Sequence, residues 1–150
     1  MNTMMFSDID IFEIRRIADR YQLDLIVLFG SYAKGTFRPS SDMDIAVHTT
    51  RKDYAMRDDD SKAFWEMELF DDLNAVLKAP EGVDLVVLNR ANSTLLYEVA
   101  RYGIPLYQRE KDTFHQFRSY AARRFYDDAK FRRLSWEYLK RRCLNGERDI

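Results

Sequence analysis

The chain has 150 residues, 46% of them hydrophobic and 33% charged, which is enough apolar material for one packed domain and rules out a wholly disordered chain. The formal charge of −1 hides an asymmetry: residues 1–110 carry 13 Lys and Arg against 19 Asp and Glu, whereas residues 111–150 carry 11 against 6. The single cysteine, Cys143, excludes a disulfide framework and a cysteine-based zinc site. No basic leader followed by an apolar stretch stands near Met1, and no run approaches the roughly 18 apolar residues of a membrane span, so a cytoplasmic location is expected.

Ser7 or Asp8 is placed to cap a first helix with Ile11, Ile14 and Ile17 at helical spacing and Tyr21 at its end. Residues 23–29 (LDLIVLF) form a short, nearly continuous apolar run, the pattern of a buried strand, which stops at Gly30-Ser31. A small polar segment over 32–41 precedes a second strand at 42–47 (DMDIAV). Residues 49–60 read as a loop or helix start. Phe64, Met67, Phe70, Leu73, Val76 and Leu77 then predict an amphipathic helix ended by Pro80-Glu81-Gly82. A third strand is expected at 83–88 (VDLVVL), and a short helix capped by Ser93 and closed by Gly103 follows. Residues 104–107 predict an edge strand, because Pro105 cannot donate to a ladder. From 111 to about 142 no Pro or Gly interrupts, so one long helix or two joined helices are expected. The alternation predicts an α/β (α+β) fold: a small mixed sheet of about four strands flanked by helices, with a long C-terminal helical extension. The division expected is a body over 1–110 and a basic, aromatic extension over 111–150.

The chemistry concentrates between residues 28 and 47. Gly30 ends a strand where the backbone turns tightly, and Ser31 begins a helical turn whose unpaired N–H groups, with the hydroxyl, suit a phosphate. After ten intervening residues, Asp42 and Asp44 stand two apart at a strand, so both point to one face. Two such carboxylates repel unless a cation lies between them, and hard oxygen ligands suit magnesium. Asp84 lies amid apolar residues of another strand, where burying it is costly without compensation, and a neighbouring strand would make it the third carboxylate. Taken singly, Asp42-x-Asp44 also fits a surface pair and Asp84 a solvent-facing position; the conjunction is the signal. Lys34 and Arg38 are candidates to place positive charge near a triphosphate, or are ordinary loop cations.

Gly30-Ser31, ten residues, then Asp42-x-Asp44, with Ala33, Gly35, Arg38, Pro39 and Ser41 between, resembles the signature of the minimal nucleotidyltransferase family of the DNA polymerase β-like superfamily. The resemblance covers about residues 8–108 and implies the nucleotidyltransferase fold. It implies that Gly30 and Ser31 hold the triphosphate of ATP and that Asp42, Asp44 and Asp84 ligate Mg2+. Asp84 would also accept the proton of the attacking hydroxyl. Many such proteins are antitoxins paired with HEPN-domain ribonuclease toxins, and some transfer AMP from ATP to a toxin tyrosine. The alternatives left open are adenylylation of a small hydroxylated molecule and an antitoxin that acts by binding alone.

The extension alternates aromatics (Phe114, Phe117, Tyr120, Phe125, Tyr126, Phe131, Trp136, Tyr138) with Arg and Lys. Phe114, Phe117, Ala121 and Phe125 form a stripe expected to lie on the body. The rest exceed what one small domain can bury and fit a partner-binding helix, since Tyr and Arg anchor interfaces; a solvated face or RNA contact would use the same residues. His48 is expected to close the second strand near the acidic site. His48 and His115 nevertheless read as structural or exposed, Cys143 as inert, and the six methionines as core filler.

Overall fold

The computed structural model describes residues 9–146. In chain order it contains α1 (Ile11–Tyr21), β1 (Leu23–Phe29), α2 (Gly30–Lys34), β2 (Met43–Thr49), α3 (Asp59–Leu77), β3 (Val83–Val87), α4 (Ser93–Tyr102), β4 (Ile104–Gln108) and α5 (Thr113–Leu144), with one-turn 3-10 segments at Tyr54–Met56 and Leu88–Arg90. The four strands form one mixed sheet in the spatial order β3-β2-β1-β4. β1 is antiparallel to β2 and to β4, whereas β2 and β3 are parallel with α3 as their crossover. β4 is an edge strand, as Pro105 predicted.

β1 reads as an unbroken apolar run because both of its faces are covered. Ile26 and Leu28 enter a core shared with α1 and α3, while Val27 and Phe29 enter a second core shared with α4 and the start of α5. Alternation divides β2 the same way. Met43, Ile45 and Val47 face the first core, and Ala46 the second. Asp44 and His48, in phase with Ala46, therefore lie on the α4 side. Asn89 extends the pairing of β2, accepting from the Thr49 N–H and donating to its carbonyl, both at 3.0 Å.

Several expectations are corrected. Ser7 and Asp8 lie outside the described residues; the described cap of α1 is Asp10, whose carboxylate accepts from the Phe12 and Glu13 N–H groups. Ile11 is exposed, because α1 turns Ile14, Ile17, Ala18 and Tyr21 inward instead. α4 is capped by Asn92, with Ser93 inside the helix. The buried stripe of α3 is Trp65, Leu69, Leu73 and Leu77, spaced by four, so Phe64, Met67 and Phe70 face solvent. Leu69→Ala is therefore expected to lower stability by about 2–5 kcal/mol, and Phe64→Ala by no more than about 0.5 kcal/mol, in chemical denaturation. Of the methionines among the described residues only Met43 fills the core; Met56 and Met67 are exposed.

α5 is one continuous helix of 32 residues. Its first turns carry Phe114, Phe117 and the fully buried Ala121 against the second core, and Phe125 stacks on Tyr97 of α4 at 4.2 Å between ring centroids. Beyond that contact Phe131, Leu134, Trp136, Tyr138 and Leu139 are all exposed. Among the described residues no helix is long and apolar enough to cross a membrane.

Candidate active site

The three predicted carboxylates lie at one end of the sheet. Asp44 is the second residue of β2, opposite Phe29 at the end of β1 and in register with Asp84 on β3. β2 begins at Met43, one residue later than predicted, so Asp42 stands on its threshold. The turn that delivers Asp42 is closed by Arg38 and Ser41: the Arg38 N–H donates to Ser41 Oγ at 2.8 Å and the Ser41 N–H to the Arg38 carbonyl at 2.9 Å. Pro39 supplies the fixed φ such a turn takes at its second position. The Met43 N–H then donates to the Gly82 carbonyl at 3.0 Å, which locks the start of β2 beside the start of β3.

Gly30 is dictated by this arrangement. Its φ of 70° is in the left-handed region, and a Cβ there would overlap the Asp44 carboxylate. α2 is thus laid directly against the acid, with its first N–H groups and Ser31 at the same end of the sheet. Gly35 ends α2 in the left-handed conformation, returning its N–H to Ser31 and Tyr32. The Tyr32 and Phe37 rings stack nearly parallel at 4.4 Å, so the loop between α2 and Asp42 is braced from within.

Burial, then the charge of Asp84 and that of Asp42, push the Asp44 carboxyl up to about 6 from its ordinary 3.8, and a hydrogen bond shared with Asp84 adds to the rise. Asp84 itself is exposed, because β3 is an edge strand. The expectation of a costly buried acid is corrected: Asp84 is placed by register beside Asp44, not by the core. Among the described residues no three His, Cys, Asp or Glu side chains are grouped closely enough to hold a metal ion together. Asp44 and Asp84 are in hydrogen-bond contact, and magnesium takes one or two carboxylates and fills its octahedron with water and phosphate oxygens. An open, mutually repelling oxygen set beside a glycine-lined turn fits that ion.

A folded-state pKa above the unfolded one means that ionising Asp44 weakens the fold. The penalty is absent below about 4, grows between about 4 and 6, and is complete above that. In chelator at pH 7 the Asp44→Asn variant is therefore expected to be more stable than the wild type by about 1–2 kcal/mol after allowance for solvent screening. Thermal melts should show that gap closing as the pH falls below about 4, and added magnesium should raise the melting temperature of the wild type alone.

The cations behave differently from the acids. Lys34 Nζ donates to Glu98 Oε1 of α4 at 2.8 Å and sits 4.4 Å from the centroid of the Tyr102 ring, so Lys34 is held by α4. Arg38 is exposed on the loop. Glu98 and Tyr102, one helical turn apart on α4, escaped the sequence reading because nothing local connects them to residue 34. His48 is at the far end of β2, paired with Asp24, and not beside the acids as expected: its Nδ1 stands 2.6 Å from Asp24 Oδ1. Three residues of strand, Ile45, Ala46 and Val47, lie between it and Asp44.

Residues 13–112 match a family model described as polymerase beta, nucleotidyltransferase. A protein adenylyltransferase MntA of Shewanella oneidensis is 38% identical over 91 residues, which are 61% of this chain and 58% of that protein. A chain in a crystal structure of a toxin–antitoxin with AMP-PNP superposes with a TM-score of 0.66 at 26% identity, covering 87% of this chain and 98% of that one. A tri-AMPylated Shewanella oneidensis HEPN toxin in complex with its MNT antitoxin contains a chain of the same fold, with a TM-score of 0.60 at 23% identity over 87% of this chain and 95% of that one.

Proposed function

This chain belongs to the polymerase beta nucleotidyltransferase family, and from that premise we propose that it is a magnesium-dependent protein adenylyltransferase, an antitoxin that moves AMP from ATP to a tyrosine hydroxyl of a HEPN-type ribonuclease toxin. The observation that carries the reading is the position of Asp42, Asp44 and Asp84 at one end of the sheet beside the Gly30-Ser31 turn. The curated relative's activity and the AMP-PNP bound in the 26%-identical structure support the choice of reaction and nucleotide. A bacterial cytoplasm is the compartment this reading requires.

In this reading Asp42, Asp44 and Asp84 hold Mg2+, which when bound neutralises charge on the phosphates and on the pyrophosphate leaving group. The N–H groups at the start of α2 and the Ser31 hydroxyl seat the triphosphate, and Gly30 lets the backbone come close. Asp84, exposed at the sheet edge and next to Asp44, is placed to take the proton of an incoming hydroxyl. Lys34 and Arg38 complete the nucleotide-binding set, with Lys34 needing to leave Glu98 to reach a phosphate.

Residues 1–110 are the catalytic unit of this reading, and 111–150 the arm that captures the toxin. The exposed aromatics in the second half of α5 support that role, since monomeric surfaces rarely carry such a cluster and Tyr, Trp and Arg dominate interface energetics. Incubation with labelled ATP, magnesium and the product of the adjacent gene tests the proposal. Label on a tyrosine of that product is expected; an unmodified partner overturns it.

A further inference from the structure

At the end of the sheet away from the carboxylates, α5 stands off the strands and leaves a cleft of about 340 Å3. Asp44 and His48 lie on the same face of β2, four residues or about 13 Å apart, so the cleft is not part of the acid site. Its floor is apolar, with Leu88 and Leu96 buried beneath it, and Phe117 and Tyr120 of α5 line its outer wall.

The two ends of the cleft differ in chemistry. At the inner end the β1–β2 register shifts between Leu23 and Leu25, a bulge that places Asp24 against His48. Nδ1 of the imidazole faces Asp24 Oδ1, which leaves the second carboxylate oxygen as an acceptor, and both side chains remain partly open to solvent. At the mouth stands Arg124. One of its five N–H donors is bonded to the Tyr120 hydroxyl at 3.2 Å, and the guanidinium carbon lies 5.9 Å from that ring's centroid. The fork is therefore pre-set on a rigid helix, in the form that recognises phosphate.

A ligand that satisfies all three zones has donor groups at one end, a planar body in the middle and an anion at the other end. We propose that the cleft between α5 and the sheet binds a nucleoside monophosphate: sugar hydroxyls or an exocyclic amine on Asp24 and His48, the base against Phe117 and Tyr120, and the phosphate on Arg124. A volume of this size is enough for one nucleotide. Aromatic side chains accept any base face, so base identity is read only at the Asp24–His48 end. The site is independent of the proposed transfer reaction and would bring the protein's state under the control of a mononucleotide.

The test removes the acid site first. AMP is titrated calorimetrically into the Asp42→Asn, Asp44→Asn double variant in excess chelator, and into the wild type in chelator should the double variant not fold. Saturable one-to-one binding is expected, weakened about tenfold or more by Arg124→Gln and by Asp24→Asn, with a shift of the His48 ring protons on binding. Inorganic phosphate and adenosine are each expected to bind at least tenfold more weakly than AMP. Absence of saturable AMP binding overturns the proposal. So does binding that both substitutions leave unchanged, or phosphate or adenosine alone matching AMP.

Discussion

Asp44→Asn is expected to slow AMP transfer by about 1,000-fold or more while the variant still forms its complex with the partner. Asp44 is the centre of the acid cluster: it faces Asp84 across the parallel register, follows Asp42 by two residues and lies against Gly30. Its carboxyl is also the one its neighbours destabilise as an anion, so it gains most from a cation. Amide in place of carboxylate keeps the shape and removes the charge. Single-turnover labelling with ATP measures the loss, and co-purification with the partner shows whether the fold and interface persist. Unchanged labelling would refute the assignment of the site. Cells still protected by a variant that binds but cannot transfer would show neutralisation by occlusion.

Deleting residues 129–150 is expected to weaken partner binding about 100-fold or more and to leave the melting temperature within a few degrees. The removed segment includes Phe131, Leu134, Trp136, Tyr138 and Leu139, all exposed, so the body loses little buried area. The cut point is decisive. Ending the chain at 111 would also strip Phe114, Phe117 and Ala121 from the core they share with Leu96 and Val99, and that variant is expected to unfold or aggregate. Calorimetric titration of the partner into the shorter and full-length proteins separates the two effects. Equal affinity would move the interface off the second half of α5.

Local pattern was legible where one reading satisfied it. LDLIVLF is too short for a helix and too apolar for a surface, and it is β1 at the predicted bounds. The glycine-serine turn and the Asp42-x-Asp44 spacing placed those residues at a strand end before any contact was known. α3 shows where pattern fails. Phe64-Met67-Phe70 and Trp65-Leu69-Leu73-Leu77 both repeat at helical spacing, and only packing beneath the sheet selects the second. The distal half of α5 is similar: its aromatics count as apolar, yet among the described residues they remain exposed.

From its residues alone this chain determines the order of helices and strands, the turn at Gly30 and the side-chain phase of each acid, because these depend on neighbours a few positions away. Strand order and register were decided by the folded sheet. They bring Asp84, forty residues downstream, beside Asp44, carry His48 to the opposite end, and give Lys34 to Glu98. Period two says which face a strand residue takes; only pairing with another strand says what it meets there.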